Sequence, residues 1–362
     1  MATGSFPLSG GNGSLALPNP LTRVLSQRER AFGVGSGFRR KLGFFYAVYG
    51  INKVVQPVSL CMRPGQKERA QFFEENFHSF FKAVSMMTLE EKFERLRAIL
   101  QEAGSVVIGY SGGVDSTFLA KAATDILGDK ALSVAALSES YPRHEREEAE
   151  RFARDLGLNY TTIFTSELDN PEYRKNAPNR CFYCKQELVI HLKRIARERG
   201  FNAVAIGTNY DDLGDYRPGQ QAAREEGALA PLAEAGLTKE DIRQLSARLG
   251  IPTWNKPSFA CLSSRFPYGE EITREKLEMV DKAEEVLREY RFTQFRVRHH
   301  ANLARIEVLP EEMLKLVENR EEITRRLRKI GYNYVAMDLL GYRTGSLNEV
   351  LHQIALPAGE KV

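Results

Sequence analysis

A short apolar run that ends in a glycine-rich turn constrains the fold of this chain more than any other stretch. Residues 105–110 are β-prone, and the turn after them reads Ser111-Gly112-Gly113-Val114-Asp115-Ser116. The composition from Thr117 onward is helical, so the predicted order is strand, turn and helix. Such a turn presents backbone N–H groups at the positive end of a helix dipole, which favours phosphate binding. A bare Gly-Gly pair also occurs in ordinary turns of α/β proteins, and that is the alternative.

Alternating strands and helices continue beyond this turn. Strands are predicted at 131–137, 160–164 and 203–207, with a charged helix between the first two. The alternation indicates an α/β fold with a doubly wound parallel sheet. Ligands bind at the carboxyl ends of the strands in such sheets, so Ser138 and Glu139 are expected near the phosphate site, with a solvated loop as the alternative for Glu139. From Thr273 the order helix, strand, strand, helix, strand predicts a smaller C-terminal α+β domain.

The composition excludes some functions. Of 362 residues, 43% are hydrophobic and 27% are charged, as in globular proteins. No apolar run approaches the ~18–20 residues that a membrane helix needs. Residues 1–86 hold eleven Lys or Arg and four Asp or Glu, which leaves 40 basic and 43 acidic residues in 87–362. The body of the chain therefore lacks the excess of positive charge that favours nucleic-acid binding.

The N-terminal segment differs from the rest. Its first 67 residues contain one acidic residue and stretches rich in Gly, Ser and Pro. We interpret residues 1–86 as a transit peptide, a disordered tail, or a stretch upstream of a true start at Met86 or Met87. Thr88 and Glu91 form a predicted capping box for the following helix, which suits a start there.

Three cysteines form a second candidate site. Cys181 and Cys184 lie three apart where a helix is predicted to begin, and Cys261 follows much later. The helix N-terminus, with Arg180 and Lys185 beside the pair, is expected to lower the pKa of both thiols. A redox pair, half of a zinc site and an iron–sulfur cluster with one iron open to an external sulfide all remain possible. Cys261 alone is also compatible with a small buried apolar residue.

A charged loop follows the strand at 203–207. It carries three aspartates and Arg217, with Arg224 soon after. The aspartates suit Mg²⁺ on a triphosphate, and the arginines suit a substrate phosphate or carboxylate. A solvated loop is the alternative. His299 and His300 are adjacent on a predicted strand and would face opposite sides, so we do not expect them to share a metal.

These motifs resemble a known family. The hexapeptide Ser111–Ser116 looks like the pyrophosphate loop (PP-loop) of ATP pyrophosphatases, which split ATP to AMP and pyrophosphate. The runs that begin at Gly207, Ala230 and Ser263 narrow the resemblance to the LarE family. LarE enzymes insert sulfur into pyridinium-3,5-dicarboxylate mononucleotide, on the way to the nickel-pincer cofactor of lactate racemase. One version sacrifices the sulfur of a single cysteine, and the other uses three cysteines to hold a [4Fe-4S] cluster.

The resemblance implies a set of roles. ATP and Mg²⁺ would bind at the PP-loop through Ser111, Gly112, Gly113, Val114, Asp115, Ser116 and Gly207; Cys181, Cys184 and Cys261 would hold the cluster, with Asp115 also catalytic; and Arg217, Arg224 and Arg265 would bind the substrate. The expected organisation is an extension over 1–86, a PP-loop domain over 87–268 and the C-terminal domain over 269–362, which we expect to form homo-oligomer contacts.

The expected partners are the mononucleotide and a sulfide donor, with no nucleic acid and no membrane, in the cytoplasm. Two rivals stay open. One is a tRNA thiolase with a similar loop and cysteine set, against which the acidic balance of 87–362 argues. The other is a non-catalytic nucleotide-binding regulator.

Overall fold

The computed structural model describes residues 87–214, 218–257 and 260–349. The expectations for 1–86, for Asp215 and for Arg217 lie outside these residues. In the described part the α-helices are α1 (Leu89–Ala103), α2 (Val114–Leu127), α3 (Arg143–Asp155), α4 (Pro171–Arg174), α5 (Arg180–Arg199), α6 (Pro218–Glu225), α7 (Pro231–Glu234), α8 (Lys239–Arg248), α9 (Arg274–Glu289), α10 (Met313–Glu318) and α11 (Arg320–Ile330). The strands are β1 (Val106–Gly109), β2 (Ala131–Leu137), β3 (Tyr160–Phe164), β4 (Ala203–Ile206), β5 (Phe295–His300), β6 (Leu303–Val308) and β7 (Tyr334–Met337).

The first sheet is parallel throughout, with the order β3-β2-β1-β4. Its central strand β1 is buried on both faces because successive side chains point to opposite sides. Val106 and Ile108 pack with apolar residues of α1, α2 and α8. Val107 packs on the other face with Val189 and other residues of α5. The predicted doubly wound α/β fold is therefore confirmed.

The second sheet belongs to the C-terminal region and has the order β5-β6-β7. Strands β5 and β6 are antiparallel, and β7 joins β6 in parallel. Helices α9 and α11 pack with it around a core that includes Leu287, Val297 and Leu327. The predicted α+β character is confirmed, although the segment after Pro310 forms a 3₁₀ turn and two helices where one helix was expected. The boundary near residue 268 stays a prediction.

Local signals explain several of these boundaries. The predicted capping box at the start of α1 is present: Thr88 Oγ1 accepts from the backbone N–H of Glu91, and Glu91 accepts from that of Thr88. Thr238 caps α8 in the same way, with Asp241 as its partner. Of the helices in the described ranges, none is long and apolar enough to cross a membrane.

Candidate functional site

The glycine-rich turn continues directly into the first turn of helix α2. The helix begins at Val114, three residues before the predicted start, because Gly113 takes the N-cap position with an extended backbone. No side chain caps this end, so its N–H groups lack a side-chain acceptor. Ser111 and Ser116 are brought together: their Oγ atoms lie 3.0 Å apart, and Ser116 Oγ accepts from the Ser111 N–H at 3.1 Å. The segment therefore has the donors that a phosphate binds.

Two glycines in this region are required by close backbone packing. Gly112 has φ +64°, and a Cβ there would lie 2.6 Å from the Cβ of Ala149 on α3. Gly207 lies at the carboxyl end of β4, and a Cβ there would lie 2.9 Å from the backbone N of Ser116. Both distances are shorter than carbon contacts allow, so each glycine holds a neighbouring element against the loop.

Asp115 is paired with a lysine that the sequence analysis missed. Lys239 Nζ donates to the two carboxylate oxygens of Asp115 at 2.9 and 2.8 Å, and Asn209 Nδ2 donates to one of them at 3.3 Å. The backbone N–H of Lys239 donates to Asp211 at 2.7 Å. Lys239 is the first residue of α8, directly after the capping Thr238. The capping box at Thr238 is the sequence signal that marks this position. A cation and two carboxylates thus lie beside the loop.

A second lysine contacts the loop from the other side. Lys256 Nζ lies 3.4 Å from the carbonyl oxygen of Gly112, 2.7 Å from Glu145 and 2.6 Å from Glu148. Burial alone would raise the pKa of Glu145, but hydrogen bonding to His144 and the charge of Lys256 outweigh it and lower the pKa. Helix α3 therefore holds a largely buried ammonium group against the turn.

The cysteines come from two separate segments. Cys181 and Cys184 lie in the first turn of α5, and Cys261 caps a 3₁₀ turn at Leu262–Arg265. All three are free thiols. The expected lowering of the thiol pKa is wrong: desolvation and the charge of Cys261 raise the pKa of Cys181, although part of this residue is exposed, and raise that of Cys184 further. Desolvation outweighs the helix terminus and the neighbouring Arg180 and Lys185.

The three cysteines influence one another electrostatically. Among the described residues, no group of three or more His, Cys, Asp or Glu is close enough to hold a single ion. The thiols nevertheless share one environment, because each of Cys181 and Cys184 is affected by the charge of Cys261. In an iron–sulfur cubane each thiolate binds a different iron, so its ligands stand farther apart than those of one ion. Three soft thiol donors around one space suit such a cluster.

A buried carboxyl group and a tyrosine complete the surroundings of the thiols. Cys184 Sγ donates to Glu167 at 3.5 Å, and burial raises the pKa of Glu167 to about 7. The Tyr173 hydroxyl lies 2.5 Å from Ser263 Oγ, which joins the segment before α5 to the turn that carries Cys261. The sequence analysis missed both residues, because neither lies in a recognisable motif.

The three arginines that were expected to bind substrate differ in their surroundings. Arg224 is half-buried on α6, and Arg217 lies outside the described residues. Arg265 has 1% of its side chain exposed and forms a bidentate ion pair with Glu284 at 2.8 and 2.9 Å. The expectation that Arg265 binds substrate is not supported by this position, because its guanidinium faces protein and not solvent.

Arg296 is a candidate that the sequence analysis missed. Its guanidinium donates to its neighbour's carbonyl and to the Tyr342 hydroxyl, and it lies 4.9 Å above the Tyr342 ring. Burial and the adjacent Arg265 lower the pKa of Arg296 to about 10. No salt bridge to a carboxylate within 4.0 Å is found for it among the described residues. An anionic ligand would compensate this charge.

The adjacent histidines behave as expected for a strand. His299 is buried, and its Nδ1 lies 3.1 Å from the Tyr332 hydroxyl. Its ring packs between Phe266 and Tyr332. His299 therefore serves the packing of the C-terminal sheet.

Hydrogen bonds connect the loop with the cysteine turn. Tyr141 Oη donates to the Ser111 carbonyl at 3.0 Å. The preceding residue, Ser140, accepts from the N–H of Leu262, next to Cys261, at 2.9 Å. A cavity of about 600 Å³ opens beside Tyr141, at the carboxyl ends of β2 and β3. Tyr141 and Ser140 thus connect the loop to the cysteine turn, and the cavity lies at the strand ends where parallel α/β sheets bind ligands.

Comparisons with known proteins agree with this arrangement. The NAD synthase family model matches residues 88–213. An uncharacterised protein of Synechocystis sp. is 47% identical over 73% of this chain and 99% of its own length. Pyridinium-3,5-bisthiocarboxylic acid mononucleotide synthase of Lactiplantibacillus plantarum is 38% identical over 75% of this chain and 99% of its own length. An uncharacterised protein of Methanocaldococcus jannaschii is 30% identical over 71% of this chain and 94% of its own.

Proposed function

Because the chain belongs to the family of the Lactiplantibacillus plantarum synthase, the LarE family, we propose that it is an ATP-dependent sulfur transferase acting on pyridinium-3,5-dicarboxylate mononucleotide. The reaction converts a carboxylate of the substrate to a thiocarboxylate. The observation that supports the proposal is the hydrogen-bonded connection, through Ser140 and Tyr141, between the glycine-rich loop and the turn of Cys261.

The first step is adenylation of the carboxylate. A carboxylate oxygen attacks the α-phosphorus of ATP, the bond to the β-phosphate breaks, and pyrophosphate leaves. The N–H groups at the start of α2 and the hydroxyls of Ser111 and Ser116 stabilise the charge that develops on pyrophosphate. Lys256, held against the Gly112 carbonyl, adds positive charge beside the same loop.

The acidic side chains beside the loop would hold Mg²⁺ on the triphosphate. Asp115 accepts from the side-chain ammonium of Lys239, and Asp211 accepts from the backbone N–H of the same residue. Hard oxygen donors of this kind are the ligands that Mg²⁺ prefers, and the ion neutralises phosphate charge when bound. Lys239 is then free to move to a phosphate oxygen.

The second step replaces oxygen by sulfur. A hydrosulfide attacks the acyl carbon of the adenylate, AMP leaves with the oxygen, and a thiocarboxylate remains. Cys181, Cys184 and Cys261 would hold a [4Fe-4S] cluster, which supplies an open iron for an external sulfide. The protein contributes the position of the three thiols and the burial that excludes water from Cys184.

The substrate carries negative charge that needs cationic partners. We assign its phosphate or second carboxylate to Arg296, with Arg224 and Arg217 as further candidates, because Arg296 is a desolvated guanidinium without an ion pair in the described residues. Arginine binds such groups bidentately. The free thiols suit a reducing compartment such as the cytoplasm, and a sulfide donor and assembly into homo-oligomers complete the proposal.

The adenylation step is tested by pyrophosphate release with ATP and the mononucleotide. Asp115→Ala and Ser111→Ala should each reduce the rate by about 10²-fold or more, because preorganised charge at the reacting phosphates is lost. Asp125→Ala is the matched control, since Asp125 lies on the same helix as Asp115 and its ion pair with Lys121 is partly exposed to solvent. Rates equal to that of the control in both loop variants would contradict the assignment.

The sulfur step is tested by replacing each cysteine. If three thiolates share a cluster, replacing Cys181, Cys184 or Cys261 by Ser should abolish iron binding and repeated turnover. Iron analysis after anaerobic purification measures the first, and counting of product per subunit measures the second. If one cysteine is sacrificed instead, product stops near one sulfur per subunit and the protein loses ~34 Da as H₂S, which intact-mass measurement detects. That loss in iron-loaded protein would overturn the cluster assignment.

A further inference from the structure

We propose that Arg265 is a positioning residue that fixes Cys261 in the sulfur-transfer site, and that the C-terminal sheet sets this position through Glu284. The proposal rests on the proposed function above and adds a role for a residue that substrate cannot reach. Its basis is a set of hydrogen bonds that converge on the turn following Cys261.

Arg265 holds the backbone of the cysteine directly. Its Nη1 donates to the carbonyl of Ala260 at 2.6 Å and to the carbonyl of Cys261 at 3.0 Å. The same nitrogen lies 2.8 Å from Ser264 Oγ, which itself donates to the Cys261 carbonyl at 2.8 Å. The backbone N–H of Ser264 donates to the same carbonyl at 3.0 Å, so three donors orient the peptide after Cys261.

The other side of the guanidinium is anchored in the C-terminal region. Arg265 Nε and Nη2 bind the two oxygens of Glu284 on α9, and one of those oxygens also accepts from the N–H of Val297 on β5 at 3.0 Å. A second buried arginine, Arg298 on β5, donates to the carbonyl of Ser264 at 2.7 Å. The turn is therefore hydrogen-bonded to helix α9 through Arg265 and to strand β5 through Ser264.

This arrangement has a chemical consequence. Cys261 lies at the N-cap of a short 3₁₀ turn, and such a turn has few hydrogen bonds of its own to hold it. The planar fork of arginine binds Glu284 and the backbone carbonyls at once, whereas a lysine keeps the charge but cannot span both. Fixing the turn places the sulfur relative to Cys181 and Cys184, which come from another segment.

The test compares Arg265→Lys with Ser264→Ala in the full chain. Arg265→Lys keeps a charge opposite Glu284 and loses the fork, and Ser264→Ala removes one donor to the Cys261 carbonyl without leaving a buried charge unpaired. Glu289→Gln is the matched control. Glu289 lies on helix α9, as Glu284 does, and forms a bidentate pair with Arg326 of α11 at the protein surface.

Three readouts are measured for each variant: pyrophosphate release, thiocarboxylate formation, and the alkylation rate of each cysteine by iodoacetamide in iron-free protein, followed by peptide mass spectrometry. In Arg265→Lys we expect pyrophosphate release within about twofold of wild type and thiocarboxylate formation at least about tenfold slower, since misplacement of a reacting group by 1 Å costs up to ~10²-fold. Cys261 should alkylate several times faster while the exposed Cys181 stays unchanged. Ser264→Ala should shift both readouts in the same direction by less.

Other outcomes would overturn the proposal. Equal losses of pyrophosphate release and product would place Arg265 in adenylation. Faster alkylation of all three cysteines would indicate general loosening, and unchanged Cys261 alkylation in both variants would show that the turn does not need these bonds. If Arg265→Lys does not fold, Ser264→Ala decides between the same outcomes. If wild-type protein releases no pyrophosphate, the proposed function fails, while the alkylation comparison still tests the positioning role.

Discussion

Among single residues, Gly112 has two independent reasons to be glycine. Its backbone is in the left-handed region, and its Cα faces the backbone and side chain of Ala149 on α3. Gly113, its neighbour, has an extended backbone, and a Cβ there would meet only Ser111 Oγ at an ordinary 3.5 Å. The backbone therefore requires glycine more strictly at position 112 than at position 113.

We expect Gly112→Ala to lower the free energy of unfolding by ~2 kcal/mol or more, because a left-handed non-glycine residue and an overpacked contact each cost ~1–3 kcal/mol. Gly113→Ala is the control and should cost well under half as much. Urea unfolding of both variants measures the difference. Equal losses of unfolding free energy in the two variants would mean that helix α3 shifts to make room and that the contact with Ala149 costs little.

Residue types in the site were easier to predict than their surroundings. Ser111, Asp115 and Gly207 were identified from the PP-loop and LarE-like motifs, and they lie together because strand ends in a parallel sheet meet at one edge. The direction of the thiol pKa shift was wrong, because desolvation depends on packing that sequence does not show. Arg265 was expected to face substrate for the same reason: its partner Glu284 follows in the next helix, with no motif to connect them.

On the scale of secondary-structure elements, helix α3 supports the loop through charge. Glu145 and Glu148 hold Lys256, whose ammonium contacts the Gly112 carbonyl. Strands β2 and β3 were predicted with their bounds unchanged, since each is a β-prone run between turn residues. The start of α2 was predicted three residues late, because a glycine N-cap gives no side-chain signal.

The pKa of Glu145 predicts a pH-dependent contribution to stability. Because the folded pKa lies below the ordinary value of 4.5, the ionised group stabilises the folded state above that value, and this contribution is lost as the pH falls through the folded pKa. The difference in unfolding free energy between wild type and Glu145→Gln should therefore be largest near neutral pH and shrink below about pH 4.

Urea unfolding at a series of pH values measures this difference. Glu150→Gln serves as the control on the exposed face of the same helix, where the ion pair with Arg154 is solvated and should contribute ~0–1 kcal/mol. A difference for Glu145→Gln that stays constant with pH would contradict the ionised pair with Lys256.

In the molecule as a whole, one buried ion pair joins the cysteine turn to the C-terminal sheet. Arg265 and Glu284 have 1% and 3% of their side chains exposed. Removing one partner of such a pair leaves the other charge buried and uncompensated. We expect Glu284→Gln to lower the free energy of unfolding by ~3–5 kcal/mol.

The surface pair on the same helix provides the comparison. Glu289→Gln should cost less than ~1 kcal/mol, because Glu289 is half exposed and solvent screens its pair with Arg326. Chemical denaturation of both variants, followed by far-ultraviolet circular dichroism, gives the two values. Similar losses would show that water reaches Glu284 in the folded protein.

The anchoring of Cys261 by Glu284 and Val297 also fixes an order of events during synthesis. Cys181 and Cys184 leave the ribosome long before Cys261, and the groups that hold the Cys261 turn in place follow later still. A nascent chain that ends before β5 carries these three thiols but lacks Val297 and Arg298, which complete the anchoring of the Cys261 turn. The loading with iron and sulfide that we propose for this site would then follow the completion of the second sheet.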